Sequence, residues 1–179
     1  MAKQKDKGND KNEDQDFKLS KKVREKLKHA SALKKELAAG KSFQDIVEFS
    51  SETMNKLAQS AYHLFENKRY TDAANAFLFL VTLNPHVHDY WLGLGMSAQM
   101  CHDYEAAIDA YEMAAVSEVT NPIPYFYLAK CLFAVHERES TLQALELAIE
   151  YSDDIEEYAE MKRQAIAAKK LLLENQLDQ

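Results

Sequence analysis

An all-α fold of stacked helical pairs is what this sequence predicts, and three observations carry the prediction. Only four glycines and three prolines occur in 179 residues, too few for the many tight turns of a β-sandwich or barrel. Apolar residues recur every three or four positions, the period of an amphipathic helix rather than of a strand. Laid over itself at a period of 34, the chain brings small and large residues into register across three blocks, the mark of a helical solenoid.

Composition excludes several classes. Two cysteines, Cys101 and Cys131, cannot make a disulfide framework or a four-ligand metal site, and they suit a reducing compartment. The opening segment lacks an apolar signal region, and the longest apolar run, Ala76 to Val81, is far too short to span a bilayer. The expectation is a soluble, non-secreted, cytoplasmic protein without stable membrane association. The net charge of −7 hides a division: residues 1–41 hold 13 Lys/Arg against 7 Asp/Glu, and residues 42–179 hold 9 against 22. No Lys or Arg lies between Arg69 and Lys130, so the body offers no footprint for a phosphate backbone. Nucleic acid is therefore not an expected partner.

The elements follow in order. Residues 1–17 are charged and aperiodic, and are expected to form a disordered tail. Residues 18–50 are expected to hold a basic amphipathic helix and a short second one. The first carries Leu19, Val23, Leu27, Ala30, Leu33 and Leu37 as its apolar stripe and ends at Gly40. Ser42, with Asp45 three residues on, resembles a capping box and opens the second.

Three blocks then span 54–87, 88–121 and 122–153. Their eighth residues are Ala61, Gly95 and Ala129; their twentieth, Ala73, Ala107 and Thr141; their twenty-seventh, Leu80, Ala114 and Ala148. Small residues there let two antiparallel helices approach closely. Large residues at the fourth position (Leu57, Trp91, Tyr125) and the twenty-fourth (Phe77, Tyr111, Leu145) fill the gap to the next pair. Pro122 and Pro124 suit the first turn of the helix they open. Residues 154–175 give a last amphipathic helix, with Ile155, Tyr158, Met161, Ala165, Ala168 and Leu172 on one face, expected to cap the stack.

These blocks resemble tetratricopeptide repeats. The second reads Trp91-x2-Leu94-Gly95-x2-Ala98, then Ala107-x3-Tyr111; Pro85 closes the first, and Thr141 stands where alanine is usual in the third. The predicted fold is thus a tetratricopeptide-repeat helical solenoid of three helix-turn-helix repeats, with N-terminal helices and a C-terminal capping helix.

No enzyme constellation is visible: the chain has no G-x-S-x-G, Walker loop, G-x-G-x-x-G after a strand, or H-E-x-x-H. No catalytic activity, cofactor or metal is expected. His86-x-His88 lacks further ligands, and Cys101 and Cys131 read as structural thiols. The better site is the inner face, formed in such repeats by positions 2, 5, 9 and 12 of each first helix. Those positions are Asn55, Ala58, Tyr62 and Phe65; Asp89, Leu92, Met96 and Gln99; Ile123, Phe126, Lys130 and Phe133. An apolar, aromatic stripe of this kind marks a binding surface for extended apolar peptides, unless the chain's own N-terminal helices or a dimer mate cover it. With Lys130 its only cation, the stripe disfavours a clamp for a peptide's terminal carboxylate.

The arrangement of tail, N-terminal helices, three repeats and terminal helix is similar to the class II chaperones of bacterial type III secretion. The stretches LFENKRYTDAANAF, YWLGLGMSAQMCHDYEAAIDAY and PIPYFYLAKCLF carry the resemblance. It implies a chaperone that keeps hydrophobic translocator proteins soluble and secretion-competent. An extended client segment would lie in the groove against Ala58, Tyr62, Phe65, Leu92, Met96, Phe126 and Phe133, with Gln99, Ile123 and Lys130 beside them. The resemblance also implies a homodimer, to which Leu19, Val23, Leu27, Leu33 and Leu37 would contribute. The alternative is a repeat adaptor that links folded proteins.

Overall fold

The computed structural model describes residues 19–153 and 155–174. The expectation of a disordered tail over 1–17 lies outside the described residues. The chain divides into two compact units, one up to Lys56 and one from Leu57 onward.

In the first unit, the single basic helix expected up to Gly40 is replaced by two. Helix α1 is Lys21–Leu27 and α2 is Ala30–Ala38, with His29 outside helical geometry between them (φ −107°, ψ 89°). The charges give a physical reason. In a continuous helix, Lys26 and Glu36 would lie about 15 Å apart along the axis. The break at Lys28–His29 brings the Lys26 ammonium to 2.8 Å from the Glu36 carboxylate. That hydrogen bond, with Lys41 adding its charge, holds the Glu36 carboxyl below the usual carboxylate range.

Gly40 follows α2 with φ +81°, a conformation that costs glycine nothing. Helix α3, Phe43–Val47, opens on the expected capping box: Ser42 Oγ accepts from the Asp45 amide at 3.2 Å, and the Asp45 carboxylate accepts from the Ser42 amide at 3.0 Å.

The repeat helices are α4 (Ser51–Glu66), α5 (Tyr70–Leu83), α6 (His88–Met100), α7 (Tyr104–Ser117), α8 (Pro122–Ala134) and α9 (Arg138–Tyr151). From α5 onward each packs on its neighbour in chain order, as a solenoid requires. The 34-residue period is also written into the backbone. Lys68, His102 and His136, spaced by 34, each take a left-handed conformation (φ 61°, 62° and 65°) at the turn between the two helices of a repeat. The polar tips of position 4 repeat as well. Trp91 Nε1 donates to the Pro85 carbonyl at 2.8 Å, and Tyr125 Oη donates to the Val119 carbonyl at 3.0 Å. Each ring thereby fixes the turn six residues before it. Asn121 caps α8 by accepting from the Ile123 amide, with Pro122 and Pro124 inside the first turn.

The two scarce glycines of α6 decide how closely its neighbours approach. A Cβ on Gly93 would lie 2.4 Å from the Phe77 ring, and one on Gly95 would lie 2.7 Å from the Tyr111 ring. Both rings are fully buried. Around Tyr111 the core runs through Ala98, Ala107, Ala129, Cys131, Leu145 and Ala148 to Ala165 of the last helix.

That last helix starts later than expected. Residues Glu156–Tyr158 form a single 3-10 turn, and α10 covers Ala159–Glu174. Ile155 is exposed rather than on a packed face. Met161, Ala165, Ala168 and Leu172 do pack on the core, and the Arg138 guanidinium hydrogen-bonds the Leu172 carbonyl. Lys169 adds an ion pair to Glu146 at 2.7 Å.

Candidate functional site

The residues expected to form the inner stripe fall on α4, α6 and α8, at spacings of three and four that put them on one side of each helix. On α4, Ala58 and Phe65 are half-buried, and the Phe65 ring meets Tyr70 edge-on at 5.3 Å. Tyr62 is 41% exposed. Its ring stands edge-on to Phe77 at 5.0 Å, and its hydroxyl donates to the Asp89 carbonyl at 3.4 Å, joining α4 to the start of α6. Partial burial, reinforced by the nearby Asp89 and Tyr90, pushes the Tyr62 hydroxyl pKa up.

On α6, Leu92 and Met96 are half-buried against the core cluster. Gln99 has a structural bond as well: its side-chain oxygen accepts from the Tyr111 hydroxyl at 2.7 Å. On α8, Ile123 is half-buried, Phe126 is only 6% exposed, and Phe133 is 59% exposed. Phe126 is therefore chiefly a core residue.

Phe126, Lys130 and Phe133 come together in a cavity of about 480 Å³ between α8, α9 and α10. Thr141 and Leu145 of α9 and Gln164, Ala168, Leu171 and Leu172 of α10 complete its lining. The Lys130 ammonium lies 4.1 Å from the centre of the Phe126 ring and 4.8 Å from that of Tyr127, a cation-π arrangement. Partial desolvation lowers the Lys130 pKa, and Cys131 opposes the shift.

Sequence reasoning missed the α10 half of this wall. The signal was present: Leu171, Leu172 and Leu173 are consecutive, and a helix turns about 100° per residue, so one face cannot bury all three. Leu172 packs on the core and Leu171 is 61% exposed on the cavity wall.

The residues weighed for other chemistry have structural places. His88 is buried; its Nδ1 donates to the Ala114 carbonyl at 3.0 Å and its Nε2 faces the Asn121 amide at 3.3 Å. His86 is exposed. Cys101 is exposed, while burial pushes the Cys131 thiol up to about 11. Among the described residues, no group of three or more His, Cys, Asp or Glu is placed to hold a metal ion, and no helix is long and apolar enough to cross a membrane. Of the five apolar residues assigned to dimerisation, Val23 is 1% exposed, Leu19, Leu27 and Leu33 are half-buried, and Leu37 is 45% exposed.

No family model matches the chain. Among curated proteins it is 29% identical over 130 residues to the low calcium response locus protein H of Yersinia pestis, covering 73% of this chain and 77% of that one. Among solved structures it resembles a chain of a CopN–Scc3 complex, with 31% identity, a TM-score of 0.69, and coverage of 72% of this chain and 75% of that one. It also matches the Yersinia enterocolitica type III secretion chaperone SycD, solved with a peptide of the translocator YopD, at 27% identity and a TM-score of 0.70 over 72% of this chain and 98% of that one. The repeat signature, the order of helices around it and these likenesses agree: the chain belongs to the class II chaperones of bacterial type III secretion.

Proposed function

We propose that this chain is a cytoplasmic chaperone that binds hydrophobic translocator proteins of a type III secretion system through extended segments laid along the inner stripe of its repeats. It works without catalysis or cofactor and acts as a homodimer. The observation that carries the reading is the stripe itself. Tyr62, Leu92, Met96 and Phe133 offer apolar surface on three successive first helices, and Lys130 is the stripe's only cation. Such a surface gains free energy by taking apolar side chains out of water, at roughly 25 cal/mol per Å². An extended segment reaches successive pockets without first having to fold. The SycD structure with a YopD peptide, and a second SycD structure described as an alternative dimer, support both halves of the reading.

Co-expression with a translocator encoded by the same secretion system tests it. The chaperone is expected to co-purify with that protein and to bind an isolated, unfolded segment of it. Capture of a folded partner with no affinity for any unfolded segment would favour an adaptor instead.

A further inference from the structure

The cavity between α8, α9 and α10 is apolar, yet a cation without a carboxylate partner stands at its wall. Six Lys or Arg residues lie from Pro122 to Glu174: Lys130, Arg138, Lys162, Arg163, Lys169 and Lys170. Four of them are paired, Lys162 with Asp153, Arg163 with Glu160, Lys169 with Glu146 and Lys170 with Glu174. Lys130 and Arg138 have no carboxylate partner among the described residues. Lys130 lines the cavity, and Arg138 is bonded to the backbone of Leu172, another residue of the wall. The Nε of Arg138 is buried without an acceptor, a state that costs free energy until an anion or water approaches.

In a unit where acids outnumber bases, Lys130 on the wall of this apolar cavity, with Arg138 behind Leu172, forms a charge pattern that an apolar ligand alone would leave unanswered. The cavity volume of about 480 Å³ exceeds one large side chain and accommodates it together with its neighbours.

Building on the groove reading above, we propose that this cavity is an anchoring subsite for a client segment in which a large apolar side chain is flanked by an aspartate or glutamate. The apolar side chain enters between Phe133, Ala168 and Leu171, and the carboxylate meets the Lys130 ammonium at the rim. The subsite makes the terminal helix part of the binding surface as well as a lid on the core. It also gives the chaperone a means of preferring some apolar segments over others, since a carboxylate on the wrong side of the anchor would leave Lys130 unpaired.

The test uses the full chain, labelled with ¹⁵N, and three acetylated, amidated peptides: GSGFEGSG, GSGFQGSG and GSGAEGSG. The Phe-Glu peptide is expected to move the amide resonances of Phe133, Ala168 and Leu171, and to bind about three- to fivefold more tightly than the Phe-Gln peptide, the range for a partly exposed ion pair. The Ala-Glu peptide is expected not to bind. Lys130→Met is expected to remove the Glu-over-Gln preference while keeping the Phe-dependent shifts, and Ala168→Trp is expected to block both peptides. Equal affinity for the Phe-Glu and Phe-Gln peptides, a preference that survives Lys130→Met, or shifts confined to other helices would overturn the proposal. So would binding seen only after removal of residues 175–179, or only on dilution to monomer, because the cavity would then belong to the chain's own end or to a second copy. An Ala168→Trp chain that co-purifies with its translocator as fully as the native chain, alongside a Tyr62→Glu chain that does not, would leave the groove reading standing and remove this subsite.

Discussion

Gly93 lies so close to Phe77 that a single methyl group on it would stand 2.4 Å from the Phe77 ring. The ring is completely buried and cannot swing into solvent. The contact joins α6 to the second helix of the preceding repeat, so it works at the seam where a solenoid's nearest-neighbour stability resides.

Gly93→Ala is therefore expected to destabilise the repeat unit, although alanine is the better helix former by about 1 kcal/mol. Overpacking a core of this kind costs about 1–3 kcal/mol, and at this distance from an immobile ring the upper part of that range applies, leaving a net loss of about 1–2 kcal/mol. Denaturant unfolding followed by circular dichroism measures it. Pairing Gly93→Ala with Phe77→Leu should cost less than the two changes summed, because the smaller side chain makes room for the methyl group.

The opposite sign is expected at the repeat turns. Lys68 and His136 hold φ values of 61° and 65°, a conformation in which a side chain crowds the following carbonyl. Lys68→Gly or His136→Gly should raise stability by up to about 1 kcal/mol, and a β-branched valine at either site should lower it by more. His102 is a poorer test, since its ring bonds the Tyr104 hydroxyl at 3.0 Å.

The sequence made these seams only partly legible. The 34-residue register identified Gly95 through its small partners Ala61 and Ala129, because the constraint repeats. Gly93 repeats nothing: its need arises from one ring in the neighbouring repeat, and spacing within a block cannot reveal that contact. The break between α1 and α2 was hidden for a related reason. Apolar spacing alone permits one helix there, and the reversal depends on Lys26 meeting Glu36 in space. At the candidate site, the stripe positions followed from the repeat register, whereas α10's share of the cavity required knowing which side of a terminal helix outside the repeats lines it. Phe126 marks the limit of the register argument, because its position is right for the inner face while its ring is mostly in the core.

Burial of Cys131 ties stability to alkaline pH. The thiol is raised from 9.0 to about 11 in the folded chain, so the neutral form is favoured by folding. That contribution is intact below pH 9 and is lost as the pH rises from 9 to 11, by up to about 3 kcal/mol. Unfolding free energy measured across that window is expected to fall more steeply for the native chain than for Cys131→Ala. Near pH 8, one thiol, Cys101, is expected to react with a disulfide reagent in the folded protein and two after denaturation.

The N-terminal helices give a prediction about assembly. Leu37 is the most exposed of the five apolar residues assigned to the dimer, so Leu37→Asp is expected to shift the chain toward monomer in light scattering without loss of helicity. A chain beginning at Ser42 should shift at least as far. Equal masses for the native chain and both variants would count against this placement of the interface.

The central claim is that the inner stripe holds the client, and paired substitutions on it test this most directly. Tyr62 and Phe133 are both exposed, at 41% and 59%, so Tyr62→Glu and Phe133→Glu add charge to the stripe, the first at the loss of its edge-on contact with Phe77; Phe126, largely buried, is unsuitable. The measurement is the affinity of a labelled, unfolded translocator segment for the native chain and for the double variant, with circular dichroism verifying that both are equally helical. The account predicts at least a hundredfold loss, about 3 kcal/mol, from desolvating two carboxylates against an apolar segment. Unchanged affinity in a fully helical double variant would contradict it.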